Sequence, residues 1–342
     1  MNPVLIHENA DTAGTSESAR AEFRALTDAS GVYDLSSRRR LSITGSDRVR
    51  WLNGMVTNNV RDLAVGHGVY AFLLNPQGRI LGDLYAYNNG ESLAIDTDQA
   101  QLAKILETFE RYIIMDDVEV ADVSGQSAVI GITGPKAQVT LRAAGFEIPD
   151  LQPLQFVAIR WNGNDITVVH GDNPCVVSYE LRVSAEDADA VKTALVKAGA
   201  NPIGPTALEW LRIASGIPLY GRDIREKDLP QETCQDRALN FSKGCYIGQE
   251  IVERIRSRGA VHRQFTGFLI DGPPPEPGAE LQFEGKKAGE ITSVASLPIG
   301  GSSRNVALGY VRREIAAAKK MLDGGSFQAT AVSLPFREFF QD

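Results

Sequence analysis

The chain has 342 residues, 43% hydrophobic and 23% charged, values close to globular averages that exclude extended disorder. Its length exceeds the roughly 250 to 300 residues at which a single core stops growing, so two or more subdomains are expected. A formal net charge of −8 excludes a surface built wholly to neutralise phosphates and leaves room only for local basic patches.

Residues 1–20, MNPVLIHENADTAGTSESAR, carry neither a basic leader nor a long apolar core. No later run approaches the roughly 18 apolar residues of a membrane span, so a cytoplasmic chain with no membrane partner is expected. A helix is predicted over Ala19–Ala29, with Phe23 and Leu26 inward and Gly31 ending it. Leu41 and Ile43 alternate with polar neighbours as in a strand, and Ser46 or Asp47 is placed to cap a short helix carrying Val49 and Leu52. The stretch GVYAFLLNPQGRILGDLYAYNNGESLAIDTD divides into three strands at Asn75-Pro76-Gln77-Gly78 and at Asn88-Asn89-Gly90. Proline presets φ there, and glycine or asparagine accepts positive φ. A helix over Asp98–Tyr112 follows, with Leu102, Ile105, Leu106 and Phe109 on one face.

Further strands are predicted over 118–123, 128–133, 155–161, 165–170 and 175–183, with a helix near 185–198. Strands and helices interleave without a βαβ rhythm, which assigns the chain to the α+β class, an antiparallel sheet with helices on one side. DGPPPEPGAE, residues 271–280, is the clearest joint. Strands predicted over 281–284, 288–294, 305–312 and 326–334 suit a small barrel or sandwich packed against the larger part.

Cys175, Cys234 and Cys245 form no C-x-x-C pair, fit neither a disulfide framework nor a zinc knuckle, and are expected as reduced thiols. His7, His67, His170 and His262 lack H-x-x-x-H spacing, so no metal site is expected. Cys245 stands out in FSKGCYIGQEIVERIRSR, just before a predicted helix on which Ile247, Ile251, Val252 and Ile255 recur. A helix N-terminus and Lys243 two residues away favour a thiolate. A buried cysteine serving as a small apolar residue carries equal weight, and no base is placed to make it an acyl-transfer nucleophile. Arg254, Arg256, Arg258, His262 and Arg263 concentrate positive charge; a solvated face is favoured over a landing site for an acidic partner such as polyglutamate. Without interleaved aromatics to stack bases, direct nucleic-acid binding is not expected.

Lys243-Gly244-Cys245-Tyr246-Ile247-Gly248-Gln249-Glu250 resembles the signature K-G-C-Y-x-G-Q-E of the YgfZ-like folate-binding proteins, relatives of the glycine cleavage T-protein (aminomethyltransferase). The resemblance extends along the chain. GVYDLSSRRRLSITGSDRVRWLNGMVTNNV is similar to the family's opening F/Y-D-x-S segment and the G-x-D helix after it. LEWLRIASGIPLYGRDI, residues 208–224, resembles R-L-E-A-G-L-P-L-Y-G-x-D-I, and the segments GEITS, ALGYV and ATAVSLPF resemble the C-terminal barrel. The resemblance implies two intertwined α+β folate-binding domains around a central cavity over residues 1–261, and a C-terminal antiparallel β-barrel over 262–342.

It also implies a site that takes tetrahydrofolate or a one-carbon derivative. Asp83 matches the aspartate beside the reactive end of the folate, although Gly82 stands where the family has a second acid. Glu180 falls where a glutamate holds the pterin, with Ser178 replacing a glycine and the upstream Tyr-Thr-Gly missing. Arg212 matches an arginine suited to the folate's glutamate tail, with Ala214 in place of the following glutamate; a structural arginine is an equal alternative. Tyr220 of the same run is expected on the folate as well. The function implied is a tetrahydrofolate-binding accessory protein for assembly or repair of iron-sulfur enzymes, with Cys245 as the working thiol and iron-sulfur client or assembly proteins as partners. The alternatives are an aminomethyltransferase or related one-carbon transferase, and a folate-responsive regulator of transfer-RNA modification.

Overall fold

A computed structural model describes residues 12–35, 37–259 and 261–340, without the side chains of residues 12–16 and Arg258. His7, Ser36 of the opening motif and the Arg258 guanidinium therefore lie outside the described residues.

The chain threads between two sheets from its first strands onward. Gly31–Asp34 joins a six-stranded sheet, lying between Asn201–Pro202 and Ala128–Thr133, and Ser178–Val183, Asn164–His170 and Phe156–Trp161 extend it in that order. Arg38–Thr44 crosses into a five-stranded sheet, ordered Gly68–Leu74, Ile80–Asn88, Leu93–Asp98, Arg38–Thr44, Glu119–Asp122. All these pairings are antiparallel except that of Gly31–Val32 with Asn201–Pro202. Apolar alternation sets which face is buried: Leu41 and Ile43 are fully buried and pack with Leu52, Ile105 and Phe109 from the helices Arg48–Met55 and Gln99–Tyr112. The other sheet buries Ile130, Ile132 and Leu181 beneath Leu141 and Leu195 of the helices Ala137–Ala143 and Ala188–Lys197.

The first helix runs Thr12–Asp28, starting earlier than its apolar periodicity predicts because TAGTSES carries no apolar face. Phe23 and Leu26 point inward as expected. They share one core with Leu211 of the helix Pro205–Ala214 and with the barrel residues Leu297, Val306 and Phe336. Each such burial is worth about 1.5–3 kcal/mol, which fixes the barrel to the body.

The barrel is closed, with strands Arg263–Asp271, Ser302–Arg312, Lys286–Ile299, Glu280–Phe283, Met321–Asp323 and Gln328–Val332 in spatial order. The proline-rich stretch connects Arg263–Asp271 to Glu280–Phe283, inside the barrel. Lys286–Ile299 is twice the predicted length, because a bulge between Ile291 and Ser293 bends it around the barrel and breaks the alternation. The segment predicted as a strand from 175 pairs only from Ser178.

Candidate functional site

The two sheets, the helix Pro205–Ala214 and residues 217–219 line a cavity of about 320 Å³. Alternation along Ile80–Asn88 buries Leu84 and Ala86 and turns Asp83 and Tyr85 to the cavity. Asp83 Oδ2 accepts a hydrogen bond from Tyr70 Oη at 2.6 Å, and Oδ1 accepts one from Gln101 Nε2 at 2.7 Å. Gln101 Oε1 also receives the Asp83 backbone N–H at 2.9 Å. A Cβ on Gly82 would come within 3.0 Å of that oxygen, so the glycine leaves room for the glutamine that braces the carboxylate.

Burial raises the Asp83 pKa above its ordinary value, against the lowering effect of the Tyr70 and Gln101 hydrogen bonds. A carboxyl with a raised folded-state pKa contributes stability at low pH that is lost as pH rises through that pKa. Asp83→Asn is therefore expected to gain stability relative to the parent between pH 4 and pH 7. Paired urea unfolding at the two pH values tests the sign; an equal difference at both contradicts it.

Glu180 reaches the cavity from the other sheet. Its Oε1 lies 3.3 Å from Arg38 Nη2, and its Oε2 lies 3.9 Å from Arg182 Nη2. Beside it, Asp96 is buried and also borders the cavity; it accepts from Arg40 Nε at 2.7 Å and Nη2 at 3.1 Å, and from Arg182 Nη2. The Arg182 guanidinium lies 4.6 Å over the Tyr87 ring. Arg38, Arg40 and Arg182 with Asp96 and Glu180 thus join the two sheets and hold the Glu180 carboxylate in place.

Arg212 borders the cavity but is committed to the protein. Nε and Nη2 bind Glu209, Nη1 binds Ile217 O and Asp223 Oδ2, and Nη2 also binds Ser293 Oγ. All five N–H donors are used, so the expected contact with a glutamate tail has no donor to make it. Tyr220 Oη donates to Leu81 O at 2.6 Å, and the residue is not among those lining the cavity. That bond braces the Asp83 strand.

The cysteine motif lies outside this cavity. The helix begins at Gln249 after Gly248, so Cys245 precedes it by four residues, in a loop and exposed. The buried apolar reading is corrected by that exposure, and the helix-end reading by the later start. Gly248 has φ 82°, and a Cβ there would come within 2.6 Å of Asn75 O; the motif thereby packs on the turn leading into the Asp83 strand. Lys243 is buried, its Nζ donating to Asn53 O, Val56 O and Asn58 O at 2.5, 2.6 and 2.7 Å. Burial draws its pKa down to about 7, while the three carbonyls favour the charged form. No N–H remains to stabilise a thiolate. Tyr246 packs with Phe72, Ile80 and Val252, Gln249 Oε1 accepts the Tyr246 N–H at 3.3 Å, and Glu250 pairs with Arg254. A Cβ added at Gly244 would meet open space.

Sequence reasoning missed Tyr70, Gln101, Arg38 and the Asp96 pair, and it missed Arg237. The Arg237 guanidinium lies 4.4 Å over the Tyr70 ring and pairs with Asp172, whose Oδ1 accepts from Tyr85 Oη at 3.1 Å. Arg237, Asp172 and Ile217 also border a second cavity of about 400 Å³ on the barrel side, lined in part by Cys234. It lacks the facing carboxylates Asp83 and Glu180 that single out the first. Among the described residues no cluster of three or more His, Cys, Asp or Glu is arranged for a metal ion, and no helix is long and apolar enough to cross a membrane.

Residues 3–243 match the family described as the GCVT N-terminal domain. The chain belongs to the GCVT family. Among similar proteins, an aminomethyltransferase of Rubrobacter xylanophilus is 28% identical over 93% of this chain and 86% of its own length. A chloroplastic Arabidopsis thaliana protein, named only provisionally as a transferase, is 28% identical over 84% of this chain and 66% of its own. The crystal structure of the glycine cleavage aminomethyltransferase T of Bartonella henselae superposes with a TM-score of 0.83 over 94% of this chain and 90% of that one, at 21% identity. That likeness shows the GCVT chain to have the T-protein fold, with its closed C-terminal barrel.

Proposed function

We propose that this GCVT-family chain binds tetrahydrofolate between its two sheets and acts as an accessory protein for assembly or repair of iron-sulfur enzymes. The observation that carries the folate reading is that Asp83 and Glu180, from different sheets, face one cavity. The donor set suits a pterin: a carboxylate accepts two N–H groups side by side, and Tyr70, Tyr85 and Tyr179 supply flat apolar walls. Tetrahydrofolate dependence is a property of the family's aminomethyltransferases, and the folate supplies the one-carbon chemistry when bound. In this reading Glu180 orients the pterin, and Asp83, held by Tyr70 and Gln101, orients the reactive end or moves a proton there.

The accessory role rests on the KGCYIGQE signature and on the exposure of its thiol. An exposed cysteine is within a partner's reach, and a single motif thiol suits transient or shared contact with a cluster better than a resident four-thiolate site. The names of the bacterial relatives favour a second reading, an aminomethyltransferase with Asp83 at its centre. Regulation of transfer-RNA modification would follow indirectly from the first reading through client enzymes.

Calorimetry with tetrahydrofolate tests the binding both readings require. Cys245→Ala is expected to keep that affinity within about twofold, since it removes no cavity contact, and to lose rescue of iron-sulfur enzyme activity in cells lacking the protein. Full rescue removes the accessory role. Tetrahydrofolate-dependent ammonia release from an aminomethyl-lipoyl donor, lost in Asp83→Asn, would establish the transferase instead.

A further inference from the structure

We infer that Arg38 reads the 4-position of the pterin ring, so that the site selects a 4-oxo pterin over its 4-amino counterpart; this rests on the folate reading above. Arg38 and Glu180 enter the cavity from different sheets, with Arg38 Nη2 3.3 Å from Glu180 Oε1. Side by side they present acceptor, acceptor and donor along one wall. The pyrimidine edge of a folate presents the complement: the 2-amino group and N3–H donate, and the 4-oxo group accepts. The two series match in one register, with the carboxylate on the 2-amino and N3 groups and the guanidinium on the oxygen.

The structure singles out Arg38 among the arginines of this network. Arg40 and Arg182 are committed to Asp96, and although that carboxylate borders the cavity, neither arginine lines it. Arg38 does line it, and its guanidinium lies 5.5 Å from the centre of the Tyr85 ring. Pairing of Arg38 with Asp98 across the sheet fixes where its side chain starts. A guanidinium donates only and keeps its charge at any physiological pH. A 4-amino group would therefore meet donor against donor, and its unprotonated N3 would face the carboxylate of Glu180.

The test is anaerobic calorimetry with two probes, tetrahydrofolate and 4-amino-4-deoxytetrahydrofolate. The parent protein is expected to prefer the 4-oxo compound by on the order of 100-fold, the effect of mismatched buried polar groups. Arg38→Gln is expected to cut that preference at least about tenfold, because an amide turns either its carbonyl or its NH2 to the ring. Arg38→Met, with no polar group, should narrow it in the same direction, chiefly by weakening tetrahydrofolate. An unchanged preference in either folded variant, or no preference in the parent, overturns the role of Arg38 and leaves the folate reading standing. Failure of the parent to bind tetrahydrofolate removes both.

Discussion

Asp96→Asn is expected to cost about 3–5 kcal/mol of folding stability, the usual penalty for breaking a buried ion pair from one side. Against a total of about 5–15 kcal/mol for a typical domain, that is enough to leave a large unfolded fraction in warm solution. The carboxylate is 3% exposed, and it answers two guanidiniums, of which Arg182 is 5% exposed. Asparagine keeps the shape and removes the charge, leaving Arg182 buried with a neutral partner. Arg182 Nε already lacks a hydrogen-bond partner, and Glu180 Oε2, 3.9 Å from Nη2, lies beyond hydrogen-bond distance. Burial by itself would raise the Asp96 pKa; Arg182 and Arg40 overcome it and hold it below the ordinary 3.8. A depressed carboxyl pKa contributes stability above the unfolded value and loses it as pH falls through the folded one. The gap between parent and variant in urea unfolding should accordingly be full at pH 7 and shrink below pH 3.8. A loss under about 1 kcal/mol at pH 7 would mean that the network positions Glu180 without holding the sheets together.

Pattern in the sequence sufficed for elements governed by neighbours a few residues away. The alternation of Leu41 and Ile43, the turn chemistry at 75–78 and the apolar face of Gln99–Tyr112 all depend on local spacing, and they fold as read. The hidden part of the site is long-range. Arg40 and Asp96 are 56 residues apart and Arg182 and Asp96 are 86; three consecutive arginines in a strand were the available signal, since one of them must point to a buried face. Tyr70 could have been found from the hairpin, because strand pairing sets it opposite Tyr85, diagonal to Asp83 on the same face. Arg212 is the converse case, where the structural alternative accounts for every donor. Similarity marked the position, while Glu209 and Asp223, which occupy its donors, decide what it can touch.

The same limit applies to the motif that drew attention first. KGCYIGQE reads as one chemical unit, yet its residues divide between a solvent-facing thiol and a structural clamp. Tyr246 shares a core with Phe72, Ile80 and Tyr70, and Tyr70 holds Asp83. A disturbance of the loop therefore has a packed route to the cavity, although the thiol does not line it.

Lys243→Met separates these two roles, with an expected stability loss of about 3 kcal/mol. Helix Arg48–Met55 ends beneath Lys243, and the last carbonyls of a helix have no partner within it. Asn53, Val56 and Asn58 each direct a carbonyl at Nζ, so the ammonium closes the helix end and its approach to the sheet. Methionine, one atom shorter, fills most of the space but donates nothing, and each orphaned buried carbonyl costs about 1–3 kcal/mol. The variant recovers part of that loss because it no longer desolvates an amine, which is why the net falls well short of three full penalties. Cys245→Ala, at an exposed site on the same loop, should stay within about 0.5 kcal/mol of the parent. Urea unfolding of both variants decides the matter: if Lys243→Met unfolds at the parent's midpoint yet fails in rescue of iron-sulfur enzymes, Lys243 acts with the thiol and the clamp is wrong.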